Sequence, residues 1–338
     1  MRRPVLRKQQ PKPVSARGDV TRRDFLRITA GAAATSLLAG CSLADLTSRP
    51  KLVVWSCGGN YESLIDFNRR FEQDAGCRVT YTSAPVEHLI SILASRPRPV
   101  DILVGRSGPG WFDLSDRGRL TGQPRVFALD PYVIIVPPGN PGAIRGVQDL
   151  KRSDIKTVYS PTSSGPSGKV VQFILEAADE VVEPGIWEGY VRNAIGAYDC
   201  GWKVFPPVME GRAQASVTRL SMTRAPETIG KVDVIPIPVH VMSSMKSGHG
   251  AIPQRAALLA NAQQPILASA YLQALQGDLG LEICPKHGYI HKLSPEAAQY
   301  QPLFEMKAES TGPNESGRSP SVGGGQPSPG SRGRRPDQ

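Results

Sequence analysis

Between residues 51 and 307, apolar positions fall into short blocks that alternate between strand-like and helix-like spacing. Lys51 to Ser56 is a β-branched apolar run closed by a Cys-Gly-Gly-Asn turn, after which Tyr61, Leu64, Ile65 and Phe71 recur on one helical face. Arg78 to Ser83 sets Val79 and Tyr81 on one side of a second strand. Val86 to Ala94 carries Leu89, Ile90 and Leu93 at helical spacing, and Val100 to Gly105 makes a third strand. This βαβαβ order predicts a parallel sheet covered by helices on both faces.

A second series follows. Tyr132 to Val136 is a continuous apolar strand stopped by Pro137-Pro138-Gly139-Asn140-Pro141, and Ile155 to Ser160 opens a new βα repeat. Its helix is expected to begin near Ser167 or Gly168, with Val170, Phe173, Ile174 and Ala177 facing inward. Strands at about 194–198 and 214–218 extend this second sheet, and Lys231 to Pro236 leads back to the first. Two helices with proline in their first turns, Pro253 to Ala262 and Pro265 to Gly277, are expected to close the folded part.

The ends of the chain change the charge picture. Thr21-Arg22-Arg23-Asp24-Phe25-Leu26-Arg27 resembles a twin-arginine export signal, and Leu38-Ala39-Gly40-Cys41 resembles a lipobox. The apolar run between them is shorter than the roughly 20 residues a membrane span needs. A buried Ala-rich helix behind a basic tail explains the run alone, not the two motifs together. Residues 1–40 are therefore expected to be a signal peptide, Cys41 the lipid-bearing residue and 41–50 a linker. The protein is then extracytoplasmic, in the periplasm or at the cell surface, and touches the membrane only through lipid at Cys41.

Residues 1–40 carry nine Lys and Arg against Asp19 and Asp24, hence seven of the ten net positive charges of the chain. About +3 is left, so the basic balance gives no case for a nucleic-acid partner. From Glu309 to Gln338, 18 of 30 residues are Gly, Pro or Ser, and 308–338 is expected to be a disordered tail.

The order of several segments is more specific than any one of them. Lys51-Leu-Val-Val-Trp-Ser, Val100-Asp-Ile-Leu-Val-Gly, the strand and turn from Tyr132 to Pro141, Val147-Gln-Asp-Leu, Gly250-Ala-Ile-Pro, Ala268 to Leu275 and Cys284-Pro-Lys-His-Gly-Tyr occur in the order of a known family. Over about residues 51–291 the chain resembles the periplasmic solute-binding proteins of ABC importers, most closely the molybdate-binding type. That resemblance implies a type II periplasmic binding protein: two doubly wound α/β lobes joined by two crossover segments, with ligand between them. Lobe one would be 51–131 plus 236–307, and lobe two 132–235. It also implies an ABC transporter permease as partner, a monomer, no cofactor and no enzymatic activity.

Parallel sheets bind ligands beyond the carboxyl ends of their strands, and four polar loops lie there. They are Ser56-Cys57-Gly58-Gly59-Asn60, the loop at Ser83, Ser163-Ser164-Gly165-Pro166-Ser167-Gly168, and Asp199-Cys200-Gly201-Trp202. Backbone N–H groups at helix starts attract an oxyanion, although the same residue types also serve simply as helix caps. By the resemblance, one ligand-binding serine falls at Gly59, beside Ser56 and Asn60, and a second near Val86, with Ser83 the nearest hydroxyl. Ser167 and Gly201 or Trp202 take the positions of backbone donors, with Ser164 and Gly168 beside the first. The family's tyrosine hydroxyl falls at Arg219. Arg219 and Arg106 would add charge and bidentate donors to a site otherwise built of neutral groups, or be paired with surface carboxylates.

Four further cysteines, 57, 77, 200 and 284, allow three pairings. Cys57 and Cys200 sit at opposite cleft edges as a disulfide, a soft metal site or two unrelated thiols. His287 and His291 lack a convincing ligand set even with His88, no phosphate-loop pattern is complete, and no nucleophile, base and orienting group stand at a known spacing. The expected function is capture of a small oxyanion, molybdate- or tungstate-like. An exported enzyme or redox protein, or a metal-ion receptor using the cleft cysteines, is the alternative.

Overall fold

The computed structural model describes residues 49–108, 110–161, 167–246 and 250–305. The leader, Cys41, Ser163, Ser164 and the tail lie outside them. From Pro50 onward the described elements belong to one unit.

Strand β1 (Lys51–Ser56) pairs in parallel with β2 (Arg78–Ser83) on one side and with β3 (Ile102–Arg106) on the other. Helix α1 (Tyr61–Ala75) buries Leu64, Phe67 and Phe71 and stops at Gly76, whose left-handed φ of 64° ends the helix without Cβ strain. Helix α2 (Val86–Ser95) buries Val86, Leu89, Ile90 and Leu93. Helix α3 (Gly110–Asp116), not expected from the sequence, buries Trp111 and Leu114.

The largest departures from the sequence-based expectations concern strands β4 (Leu120–Val136) and β9 (Ala251–Leu259). Strand β4 runs from Leu120 to Val136, well beyond the Tyr132–Val136 expected. Its first part pairs antiparallel with β9 and with β10 (Ile290–His291), and from Tyr132 it pairs with β7 (Ser216–Arg219) and β8 (Asp233–Pro236). One unbroken strand thus carries the chain from one sheet to the other at Pro131–Tyr132.

The helix expected over Pro253–Ala262 is instead strand β9 (Ala251–Leu259), antiparallel to both β3 and β4. Ala and Leu favour a helix by propensity, but a slot between two strands supplies hydrogen bonds on both edges and burial on both faces, and that tertiary context wins. The first sheet, in the order β10–β4–β9–β3–β1–β2 with β10 at Ile290–His291, is therefore mixed rather than wholly parallel.

In the second lobe β5 (Thr157–Tyr159) pairs in parallel with β6 (Ala194–Ala197), and a bridge from Thr157 to Ala215 joins them to the segment leading into β7. Helices α4 (Ser167–Val181) and α5 (Ile186–Arg192) pack on this layer. Val170, Ile174 and Ala177 are buried as expected, whereas Phe173 is only partly so. After β8 come α6 (Val239–Ser243), β9, α7 (Pro265–Gln276) and α8 (Asp278–Ile283). Tyr271 of α7 meets Phe67 and Phe71 of α1 edge-on at 4.9 and 5.0 Å and donates to Asn68 Oδ1 at 2.7 Å, which locks the closing helix onto the first lobe. Among the described residues no helix is long and apolar enough to cross a membrane.

Candidate functional site

The carboxyl ends of β1, β2 and β3 open onto the same side, facing Arg219 at the end of β7. After β1 the chain makes a 3-10 turn, Gly58–Asn60, tied by Asn60 N to Cys57 O at 3.1 Å. A Cβ on Gly58 would stand 3.6 Å from Ser83 Oγ, and one on Gly59 3.4 Å from Arg219 Nη1. The two glycines let the first loop approach the second loop and Arg219 closely.

Three cavities, of about 510, 300 and 170 Å³, are all walled by Arg219. Cys57, Gly58, Gly59, Asn60, Ser83 and Arg106 join Arg219 in the largest. Gly58, Gly59 and Trp202 line the second, and Arg106, Cys200, Gly201 and Trp202 the third. The chain thus brings together most of the residues singled out in the sequence.

Others stand apart. Ser56 is fully buried behind this wall, its Oγ donating to Cys57 O at 3.3 Å. Ser167 and Gly168 begin α4, and their side chains lie outside the described residues, as does Ser164. His88 is exposed and lines none of these cavities. Cys57 and Cys200 carry free thiols, as does Cys284, so the disulfide alternative across the cleft is not realised: Cys57 and Cys200 sit in the walls of different cavities. Among the described residues no three His, Cys, Asp or Glu side chains group as metal ligands.

Arg219 is held by a residue the sequence did not flag. Asp130, fully buried at the end of the first part of β4, accepts from Arg219 Nη1 at 3.2 Å, from Ser221 N at 3.1 Å and from Ser221 Oγ at 2.7 Å. Burial pushes the Asp130 carboxyl above its usual range, while Arg219 and both Ser221 donors pull it back. Burial is the largest single influence on Arg219 and opposes its charge, but Asp130 together with Tyr132, Tyr289 and Cys57 holds the guanidinium above its ordinary value. Asp130 takes one of five guanidinium donors, and Arg219 lines all three cavities.

Arg106 is anchored differently. Its Nη2 donates to Glu87 Oε1 at 3.2 Å, and Glu87 is two-thirds exposed. Tyr289 completes the first loop: its hydroxyl donates to Gly59 O at 2.5 Å and lies 3.1 Å from Asn60 Oδ1. Burial first of all, then the Asp130 charge, lifts this phenol well above its ordinary value, so it acts as a neutral donor.

Asn60 Nδ2 is buried without a hydrogen-bond partner among the described residues, and so is Gln254 Oε1 in the same cavity wall. Asp130 escaped the sequence because its partners are remote in the chain, and Gln254 because it lies on β9, which the sequence pattern reads as a helix. The one available signal was a lone carboxylate in the apolar run Leu129-Asp130-Pro131-Tyr132. The arrangement can bind and orient an anion: it offers guanidinium, amide, hydroxyl and turn N–H donors, some of them desolvated.

A family model described as bacterial extracellular solute-binding protein matches residues 52–290. No curated protein matches the chain. Among solved structures, the chain is similar to the substrate-binding domain assigned to a molybdenum ABC transporter of Clostridium difficile, at 14% identity and a TM-score of 0.59, over 71% of this chain and 98% of that one. It is also similar to PEB3 of Campylobacter jejuni bound to L-phospholactate, at 16% and 0.52, over 71% and 99%. A Trichodesmium IdiA (FutA) protein in complex with iron and citrate matches at 16% and 0.52, over 77% and 93%. At such identities the likeness shows the fold, that of type II periplasmic binding proteins with two α/β lobes.

Proposed function

We propose that this chain, which belongs to the family of bacterial extracellular solute-binding proteins, captures an oxyanion between its two lobes and delivers it to an ABC importer. The observation that carries the oxyanion assignment is Arg219, shared by three cavities and fixed by a buried carboxylate, with Arg106, Ser83 and the Gly58–Asn60 turn around it. A molybdate- or tungstate-like dianion is the first candidate, by resemblance and by the molybdenum transporter named for one structural neighbour. L-phospholactate and citrate, bound by two others, are also anions rich in oxygen.

Capture works by geometry and electrostatics rather than by bond making. Arg219 and Arg106 replace part of the ligand's water with charge-assisted hydrogen bonds, and closure of the lobes removes the rest. Trp202, exposed at the mouth of two cavities, is placed to be covered as the lobes close. Within the same proposal, the twin-arginine leader exports the chain and lipid on Cys41 tethers the receptor beside its permease.

A thermal-stability screen of the folded chain against molybdate, tungstate, sulfate, phosphate, citrate and divalent or ferric ions tests this assignment. An oxyanion at 100 times its dissociation constant adds about 2.7 kcal/mol, hence an upward shift of roughly 5–10 °C. Stabilisation by a metal cation alone, with no response to any oxyanion, would replace the oxyanion assignment with a metal receptor.

A further inference from the structure

Gln254 lies on β9 opposite Arg106 of β3 in strand register, so the two side chains leave the sheet on the same face, and both line the 510 Å³ cavity. The Gln254 side chain is almost fully buried. Its Nε2 donates to Ile252 O at 3.1 Å, whereas its Oε1 is buried with no hydrogen-bond partner among the described residues. Turning the carboxamide over does not remove the problem, because it would set Oε1 against the Ile252 carbonyl. The wall that carries the arginines therefore also holds one fixed acceptor.

A fully deprotonated tetrahedral dianion has only acceptors. It satisfies Arg106, Arg219 and Ser83, but it leaves Gln254 Oε1 unpaired and adds repulsion between oxygens. Building on the oxyanion assignment above, we infer that the ligand is an anion carrying its own hydroxyl group, which donates to Gln254 Oε1 while the anionic oxygens face the arginines. That chemistry occurs in a protonated inorganic oxyanion such as hydrogen phosphate and in a hydroxylated organic acid. A site built to pair a ligand hydroxyl rejects the analogue lacking it, because its own polar group is then stranded.

Calorimetric titration of the full chain with two matched pairs tests this. Phosphate against sulfate compares tetrahedral anions with and without a hydroxyl, and citrate against tricarballylate compares organic acids in the same way. The expected result is about a tenfold or greater preference for the hydroxylated member of at least one pair, and which pair responds identifies the inorganic or organic source. Gln254→Met, which keeps length and removes the acceptor, is expected to shrink that preference to about threefold or less. Equal or tighter binding of the donor-free member in both pairs overturns the inference, as does a preference unchanged in Gln254→Met. If that variant does not fold, the wild-type pairs decide alone. Tight binding of molybdate or sulfate with no hydroxyl preference leaves the oxyanion assignment standing and removes only this inference, whereas no binding of any anion removes both.

Discussion

Arg219 and Arg106 wall the same cavity, yet one is anchored in the protein interior and the other at its surface. The partner of Arg219 is Asp130, fully buried on β4 one residue before that strand changes sheets, and Ser221 adds two more donors to the same carboxylate. Glu87, the partner of Arg106, is two-thirds exposed on α2. A buried pair held by several hydrogen bonds leaves its members one geometry, whereas an exposed pair is worth at most about 1 kcal/mol and exchanges readily for another anion. The difference assigns the two arginines different tasks. In the proposed capture, Arg219 would be the fixed post of the cleft and Arg106 the clamp that trades Glu87 for ligand.

Asp130→Asn breaks this contrast most severely. It strands a buried guanidinium, and urea denaturation is expected to show a loss of about 3–5 kcal/mol. A loss below about 1 kcal/mol would place Arg219 in the same class as Arg106. Arg106→Ala has a smaller effect and of a different kind: ligand affinity falls about tenfold, while unfolding stability stays within roughly 0.5 kcal/mol of wild type. Calorimetry and denaturation on the same preparation separate the two. Smallest is Glu87→Gln, which frees Arg106 from its competitor and is expected to raise affinity by no more than about fivefold. A fall in affinity with that variant would mean that Glu87 positions Arg106 rather than competing for it.

The same two walls differ in how far the sequence revealed them. Strands β1 and β2 and the starts of α1 and α2 are where the apolar pattern put them, because each buries one face or is punctuated by Gly and Pro. Hence the Gly58–Asn60 turn, Ser83 and Arg106 were all legible as polar ends of strands. Strand β9 was not, since it is covered on both faces and shows no alternation to set against its Ala- and Leu-rich helical propensity. Gln254 was hidden with it.

The early part of β4 was obscured by Gly122 and Pro124, which fall where its register with β9 slips between Thr121 and Arg125. Losing that strand also lost Asp130. Arg219 itself could be found from the chain alone, but the reason it is rigid could not, because Asp130 lies 89 residues away. Gly288 marks a similar long-range constraint: its φ is +78°, and a Cβ there would stand 2.7 Å from Leu220 O, so only glycine lets the Tyr289 loop pass the backbone next to Arg219.

The central claim, that this solute receptor holds an anion through Arg219, is tested most directly by calorimetric titration of wild type and Arg219→Met with the most stabilising anion of the thermal screen. Methionine keeps the length of the side chain and removes every donor. Asp130, already pushed upward by burial, then takes up a proton rather than remaining as a stranded charge. Affinity is expected to fall at least thirtyfold, about 2 kcal/mol, in a variant that still unfolds cooperatively. A folded Arg219→Met protein that binds the anion as tightly as wild type would contradict it.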